Sequence, residues 1–273
     1  MNWIVDPRKL GISWTSRVFS GPDSRDFLHR ITTLDVKRLQ PGAASSWGFI
    51  LTPVGKVRSA FHLAAMGPDS LVFEYDSKAD GIWDRALVEA IDQFTFSERQ
   101  TLGPAQGERA EWVCRWLFAP EAPQISGLQV LDHGTLDFGR RWWSVWGKAE
   151  DLESQLKEQG MLTSGEIHSW RMETLRPWYS VELTPEVMPL EVGLLDGITQ
   201  GKGCYPGQEV IERILTQGAP PRRLARIQTA DGARILGLVK KSETAVGTRV
   251  QIIGPSGEKI EGQVDKCVEF NVL

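Results

Sequence analysis

The stretch Gly201-Lys202-Gly203-Cys204-Tyr205-Pro206-Gly207-Gln208-Glu209 holds the residues best suited to chemistry in this chain. Two glycines bracket a lysine, and a cysteine follows. The apolar positions Val210, Ile211 and Ile214 predict a helix over 206–215. Proline suits its first position, because the missing N–H has no intrahelical partner there. Cys204 then lies just before a helix N-terminus, where the partial positive charge of the backbone favours a thiolate, and Lys202 adds to that effect. Gly201, Gly203 and Gly207 let the backbone approach a ligand closely. The competing reading is a glycine-rich turn beside a buried, inert cysteine. The phosphate-binding spacing G-x-x-x-x-G-K-[ST] is absent.

Other chemistries have less support. Cys114 and Cys267 lie far from Cys204 in strand-like surroundings that favour burial, and the single motif cysteine cannot hold a cluster that needs four protein thiolates. The four histidines, His29, His62, His133 and His168, are scattered without a ligand pattern, so no permanent metal site is expected. No G-x-G-x-x-G follows a strand, which leaves nicotinamide and flavin without a cradle. Eleven tryptophans is a high count, with Trp112, Trp116, Trp142, Trp143 and Trp146 in the middle region; they are read as core and interface packing.

The elements that must position these residues form an α+β pattern. Phe27, Leu28 and Ile31 share one face of a helix begun by Gly21-Pro22-Asp23-Ser24. Gly48 to Thr52 is strand-like, and Pro53-Val54-Gly55-Lys56 breaks it as a hairpin turn. Val57 to Met66 and Leu71 to Tyr75 continue the sheet, backed by a helix carrying Trp83, Leu87, Ile91 and Phe94. Gly103 to Arg109 reads as a linker. Strands follow at 112–118, 128–131 and 141–146, then a helix over 150–159 capped by Gly160, and another from Ser164 to before Pro177. Residues 219–273 hold short β-runs between turns, as in a small barrel or sandwich. The expected domains are 1–102, 103–218 (interleaved with the first and carrying the cysteine stretch) and 219–273.

Composition narrows the class. The chain has 273 residues, 41% hydrophobic and 24% charged, the profile of a folded protein of two or three modest domains. Net charge is −4, with +3 over 201–273 and −7 before it. A small anion could be drawn to the C-terminal part, but a nucleic-acid coat is not expected. Sparse, odd cysteines fit a reducing compartment, the first residues lack a secretory pattern, and no apolar run reaches membrane-span length. The expectation is a cytoplasmic protein with neither a membrane nor a nucleic-acid partner.

Lys202-Gly203-Cys204-Tyr205-Pro206-Gly207-Gln208-Glu209 resembles the K-G-C-[YF]-x-G-Q-E signature of the YgfZ family, folate-binding proteins related to the aminomethyltransferase (T-protein) of the glycine cleavage system. Gly21 to Leu28 and Thr32-Thr33-Leu34-Asp35-Val36 are similar to that family's G-x-D-A…F-L…T-N-D-V, with Leu34 in place of asparagine. Leu51 to Lys56 resembles its L-x-x-x-G-[RK] hairpin, and Pro189-Leu190-Glu191 its P-x-E segment.

The resemblance implies a three-lobed fold, with two α+β domains and a small C-terminal β-barrel around a central folate cavity. In relatives that barrel often runs further, so its last strand is expected to be absent or rearranged here. Tetrahydrofolate or a derivative is the implied cofactor. Glu191 matches a pterin-holding position, Arg222 or Arg223 a folate contact (Arg223 being preferred), and Gly203, Tyr205 and Gln208 accompany the ligand. Cys204, with Lys202, is the implied reactive thiol, serving as a redox or transient ligand group. Implied partners are iron–sulfur client or assembly proteins, tRNA-modifying enzymes among the clients. Aminomethyltransferases carry an acid pair where this chain has Ser59-Ala60, which argues against aminomethyl transfer. The alternatives are a folate-dependent one-carbon transferase and a scaffold that has lost folate.

Overall fold

The computed structural model describes residues 2–77, 81–104, 112–135, 140–157, 159–254 and 257–270. Most of the linker expected at Gly103–Arg109 lies outside them. In chain order the elements are β1 (Trp3–Val5), β2 (Trp14–Ser20), α1 (Ser24–Ile31), β3 (Ser46–Leu51), β4 (Val57–Gly67), β5 (Ser70–Asp76) and α2 (Ile82–Phe94). Next come β6 (Thr101–Leu102), β7 (Trp112–Ala119), β8 (Gln129–Thr135), β9 (Arg141–Lys148), α3 (Ala149–Leu156), β10 (Gly160–Met161) and α4 (Ser164–Thr174). The chain closes with α5 (Gln208–Gln217), β11 (Arg222–Thr229), β12 (Arg234–Lys240), β13 (Arg249–Ile253) and β14 (Lys259–Cys267).

Three sheets result, and the fold is mixed α+β. The first runs β3-β4-β5-β2-β6 and is antiparallel throughout. The apolar faces predicted for α1 and α2 pack on it: Phe27, Leu28, Ile31, Trp83, Leu87 and Ile91 share its core. The segment from Leu183 to Leu215 returns to this same core, bringing Leu190, Val192, Tyr205 and Ile211 with it. The second sheet runs β10-β1-β7-β9-β8, and α3 covers it through Leu152 and Leu156. The N-terminal strand therefore joins the second sheet while β2, nine residues on, joins the first. The third sheet, β12-β11-β14-β13, is antiparallel, and Met172 of α4 packs against its Leu224 and Leu236.

Two helix ends differ from expectation. The helix predicted to reach residue 159 stops at Leu156, and Gly160 opens β10, pairing with Trp3. A tertiary strand partner there outweighs the local C-cap signal. The helix predicted from Pro206 starts at Gln208, because Gly207 at φ 81° serves as its N-cap. No helix among the described residues is long and apolar enough to cross a membrane.

Candidate functional site

The cysteine-bearing loop is tied to the end of α1 and the turn after it. Lys202 Nζ donates to the carbonyl of His29, and His29 Nε2–H donates back to the carbonyl of Lys202 at 2.9 Å. His29 Nδ1 lies 3.3 Å from Asp35 Oδ1. Thr199 N–H donates to Thr33 O at 2.9 Å, and Asp35 N–H to the Thr199 hydroxyl at 3.2 Å. The Thr32–Val36 segment thus cradles the loop, which joins two motifs far apart in the sequence.

On this base Cys204 is exposed, while Tyr205 is buried. Lys202 Nζ sits 4.9 Å from the Tyr205 ring centroid. Burial lowers the Lys202 ammonium to about 8, with Asp35 and Cys204 opposing the shift. Burial, with Glu212 adding to it, raises the Tyr205 hydroxyl well above its ordinary value. The late start of α5 places its N-terminal partial charge two residues further from Cys204 than the sequence suggested, and such effects fade within a turn. Lys202, two residues before the accessible thiol, has Cys204 among the groups that act on its ammonium.

Glu191 lies elsewhere, in the turn Pro189–Val192, with only 1% of its surface exposed. Arg222 holds its carboxylate by two bonds, Nε to Oε1 and Nη2 to Oε2, each 2.8 Å. The Met188 N–H donates to Oε2 at 3.0 Å. Arg223 points to other surroundings: its guanidinium lies 6.0 Å from the Phe270 ring and beside Cys267. Gln208 opens α5 and donates its N–H to the carbonyl of Tyr205 at 3.2 Å.

A cavity of about 60 Å³ opens between the first and second sheets. That is room for a few water molecules. Its walls include Trp14, Trp47, Trp116, Trp142, Trp178 and Tyr179, with His62 among them and Arg176 on its lining. Trp47 and Tyr179 are stacked at 5.6 Å between centroids. Several polar atoms of these lining residues have no hydrogen-bond partner among the described residues: both His62 ring nitrogens, the indole nitrogens of Trp47, Trp116 and Trp142, and the Tyr179 hydroxyl. Nearby Glu74, by contrast, is fully served. It accepts from the Trp14 indole at 2.8 Å and the Trp146 indole at 2.6 Å, with His133 Nε2 3.2 Å away.

The structure thus keeps Lys202, Gly203, Cys204 and Tyr205 in one loop, with Gln208 starting the helix beyond it. Neither these five nor Glu191 nor Arg223 lines the aromatic cavity. Ser59 and Ala60 are both buried. Sequence reasoning missed the cavity: its tryptophans were assigned to packing and His62 was one of four scattered histidines. The available signal was a single histidine within the otherwise apolar run of β4. No group of three or more His, Cys, Asp or Glu side chains suited to a metal ion occurs among the described residues.

The mixed α+β fold is one shared with a solved aminomethyltransferase. It superposes on the glycine cleavage system aminomethyltransferase T of Bartonella henselae with a TM-score of 0.71 at 14% identity, covering 97% of this chain and 85% of that one. Among curated proteins, an aminomethyltransferase of Geobacillus kaustophilus is 28% identical over 239 residues, which are 78% of this chain and 65% of that protein. A protein of Arabidopsis thaliana named as a chloroplastic transferase is 28% identical over 151 residues, 44% of this chain and 34% of that protein. The matched region is thus less than two thirds of either relative. No protein-family model matches the chain. The chain is related to aminomethyltransferases and shares their fold.

Proposed function

We propose that this chain is a folate-binding accessory protein that supports assembly or repair of iron–sulfur enzymes, with Cys204 as its reactive thiol. The observation that carries the reading is the aromatic cavity. Flat walls and orphaned buried polar atoms suit a heteroaromatic ring that brings its own hydrogen-bonding groups. A tetrahydrofolate pterin carries such groups, and the orphaned atoms support that reading. Trp14, Trp47, Trp142 and Tyr179 would enclose the ring, and His62, Tyr179 and the indole N–H groups would meet its polar edge. When bound, the folate supplies one-carbon chemistry.

The chain's own residues do the rest. Its rings exclude water from the pterin, and the His29–Lys202 tie holds the loop so that the Cys204 thiol faces solvent, where a partner protein's cluster can reach it. The YgfZ-like signature supports the iron–sulfur connection. The similarity to aminomethyltransferases supports a second reading, a folate-dependent one-carbon transferase. Ser59 and Ala60 weigh against it, since neither side chain can take a proton from a substrate amine.

Titration with tetrahydrofolate, followed by tryptophan fluorescence, tests the shared premise: quenching that saturates is expected, and a flat titration overturns it. Cys204→Ala then separates the readings. Its side chain is exposed, so folding and folate binding are expected to persist while growth complementation of a strain lacking the endogenous protein is lost. Complementation by Cys204→Ala, or measured aminomethyl transfer by the wild type, would favour the transferase.

A further inference from the structure

We propose that His62 is a specificity-determining residue of the aromatic cavity, giving a bound heterocycle of the reduced-folate class a hydrogen bond from its imidazole. The inference rests on the folate reading above. Register places His62 in a row of cross-strand neighbours. Trp47 on β3 stands opposite His62 on β4, His62 opposite Glu74 on β5, and Glu74 opposite Ser16 on β2. Side chains of one row share a face of the sheet, and this face meets the tryptophans of the second sheet.

The row treats its two ionisable members differently. Glu74 takes two indole N–H bonds and has His133 beside it. His62 is 2% exposed, yet neither ring nitrogen has a hydrogen-bond partner among the described residues. Its ring is nevertheless fixed in place, with centroids 4.2 Å from Trp47, 4.7 Å from His133 and 5.1 Å from Trp142. An imidazole that is buried, immobilised and unpaired carries a standing cost that a phenylalanine of similar shape would not.

Burial, with His133 and Arg176 nearby, holds the ring neutral, so one nitrogen donates and the other accepts. A pterin lactam offers the complement to either: a carbonyl that accepts and an N–H that donates. The orphaned indoles of Trp47, Trp116 and Trp142 can only donate, which tilts the cavity towards a ring edge rich in acceptors. Along β4, His62 also shares a face with Ala60, which the resemblance sets at one of the aminomethyltransferase acid positions.

The experiment titrates the wild type, His62→Phe and His62→Gln with tetrahydrofolate by tryptophan fluorescence. His62→Phe keeps the flat shape and removes both polar atoms, so its Kd is expected to rise at least tenfold. The amide of His62→Gln restores a donor and an acceptor and should recover part of the loss. A second measurement needs no variant. With ¹⁵N-histidine label, saturating tetrahydrofolate should shift an imidazole nitrogen resonance of His62. A His62→Phe Kd within twofold of wild type, or His62 nitrogen resonances unmoved at saturation, overturns the assignment. A wild type that binds no tetrahydrofolate instead removes the folate reading, and this assignment with it.

Discussion

At the scale of single residues, the Glu191–Arg222 pair shows a buried carboxylate engaged within the chain itself. The resemblance made Glu191 a pterin ligand, yet both carboxylate oxygens are already engaged by one guanidinium and a backbone N–H. The partners are unequal: the Glu191 side chain is 1% exposed and that of Arg222 41%. Removing the arginine strands a buried charge, whereas removing both partners does not. Arg222→Met should therefore lower stability by about 2 kcal/mol, less than a fully enclosed pair would lose because water can enter on the arginine side. Adding Glu191→Gln should recover much of it. Urea unfolding midpoints measure both, and an unchanged midpoint in Arg222→Met would contradict the account.

At the scale of elements, two distant glycines explain why the hairpin and the cysteine motif belong together. A Cβ on Gly207 would sit 2.5 Å from the Thr52 carbonyl oxygen and 3.2 Å from the Gly55 Cα. The turn between β3 and β4 therefore touches the start of α5 backbone to backbone. Gly201 has a similar left-handed φ, 69°, but open space around its missing Cβ. Gly201→Ala should thus cost only the backbone penalty, about 1 kcal/mol. Gly207→Ala should cost about 3 kcal/mol, since the clash adds to the same penalty. Thermal melts of the two variants check the contrast, and equal losses would mean that the close approach does not matter. Much of this level was legible in the sequence, because the apolar periodicity of α1 and α2 and the turn residues at 53–56 act locally. The start of α5 was misplaced by two residues because a tertiary contact at Gly207 overrode proline's preference for a first helical position. The membership of β1 in the second sheet was not written in any local pattern, since a three-residue strand names no partner.

At the scale of the whole molecule, the cavity exists only because the first and second sheets face each other, which is why no stretch of sequence announced it. Trp14, Trp47 and His62 come from one sheet, Trp116 and Trp142 from the other, and Tyr179 from the segment after α4. Closing this interface buries a titratable ring and so ties stability to pH. His62 sits among His133 on β8, Glu74 on β5 and Arg176 after α4. Burial, then His133 and Arg176, depress its pKa well below 6.5. The unfolded chain releases the same imidazole to water, where it titrates near ~6.5. Above that pH the ring is neutral in both states and contributes no slope. Below it the unfolded state binds a proton that the folded state refuses, so stability falls as pH falls, by up to about 1.4 kcal/mol per pH unit from this group until the folded pKa is reached. His62→Phe removes the titrating group, so its urea midpoint should fall less than that of the wild type between pH 7 and pH 5. Parallel losses in the two proteins would show that the acid sensitivity of the interface arises elsewhere.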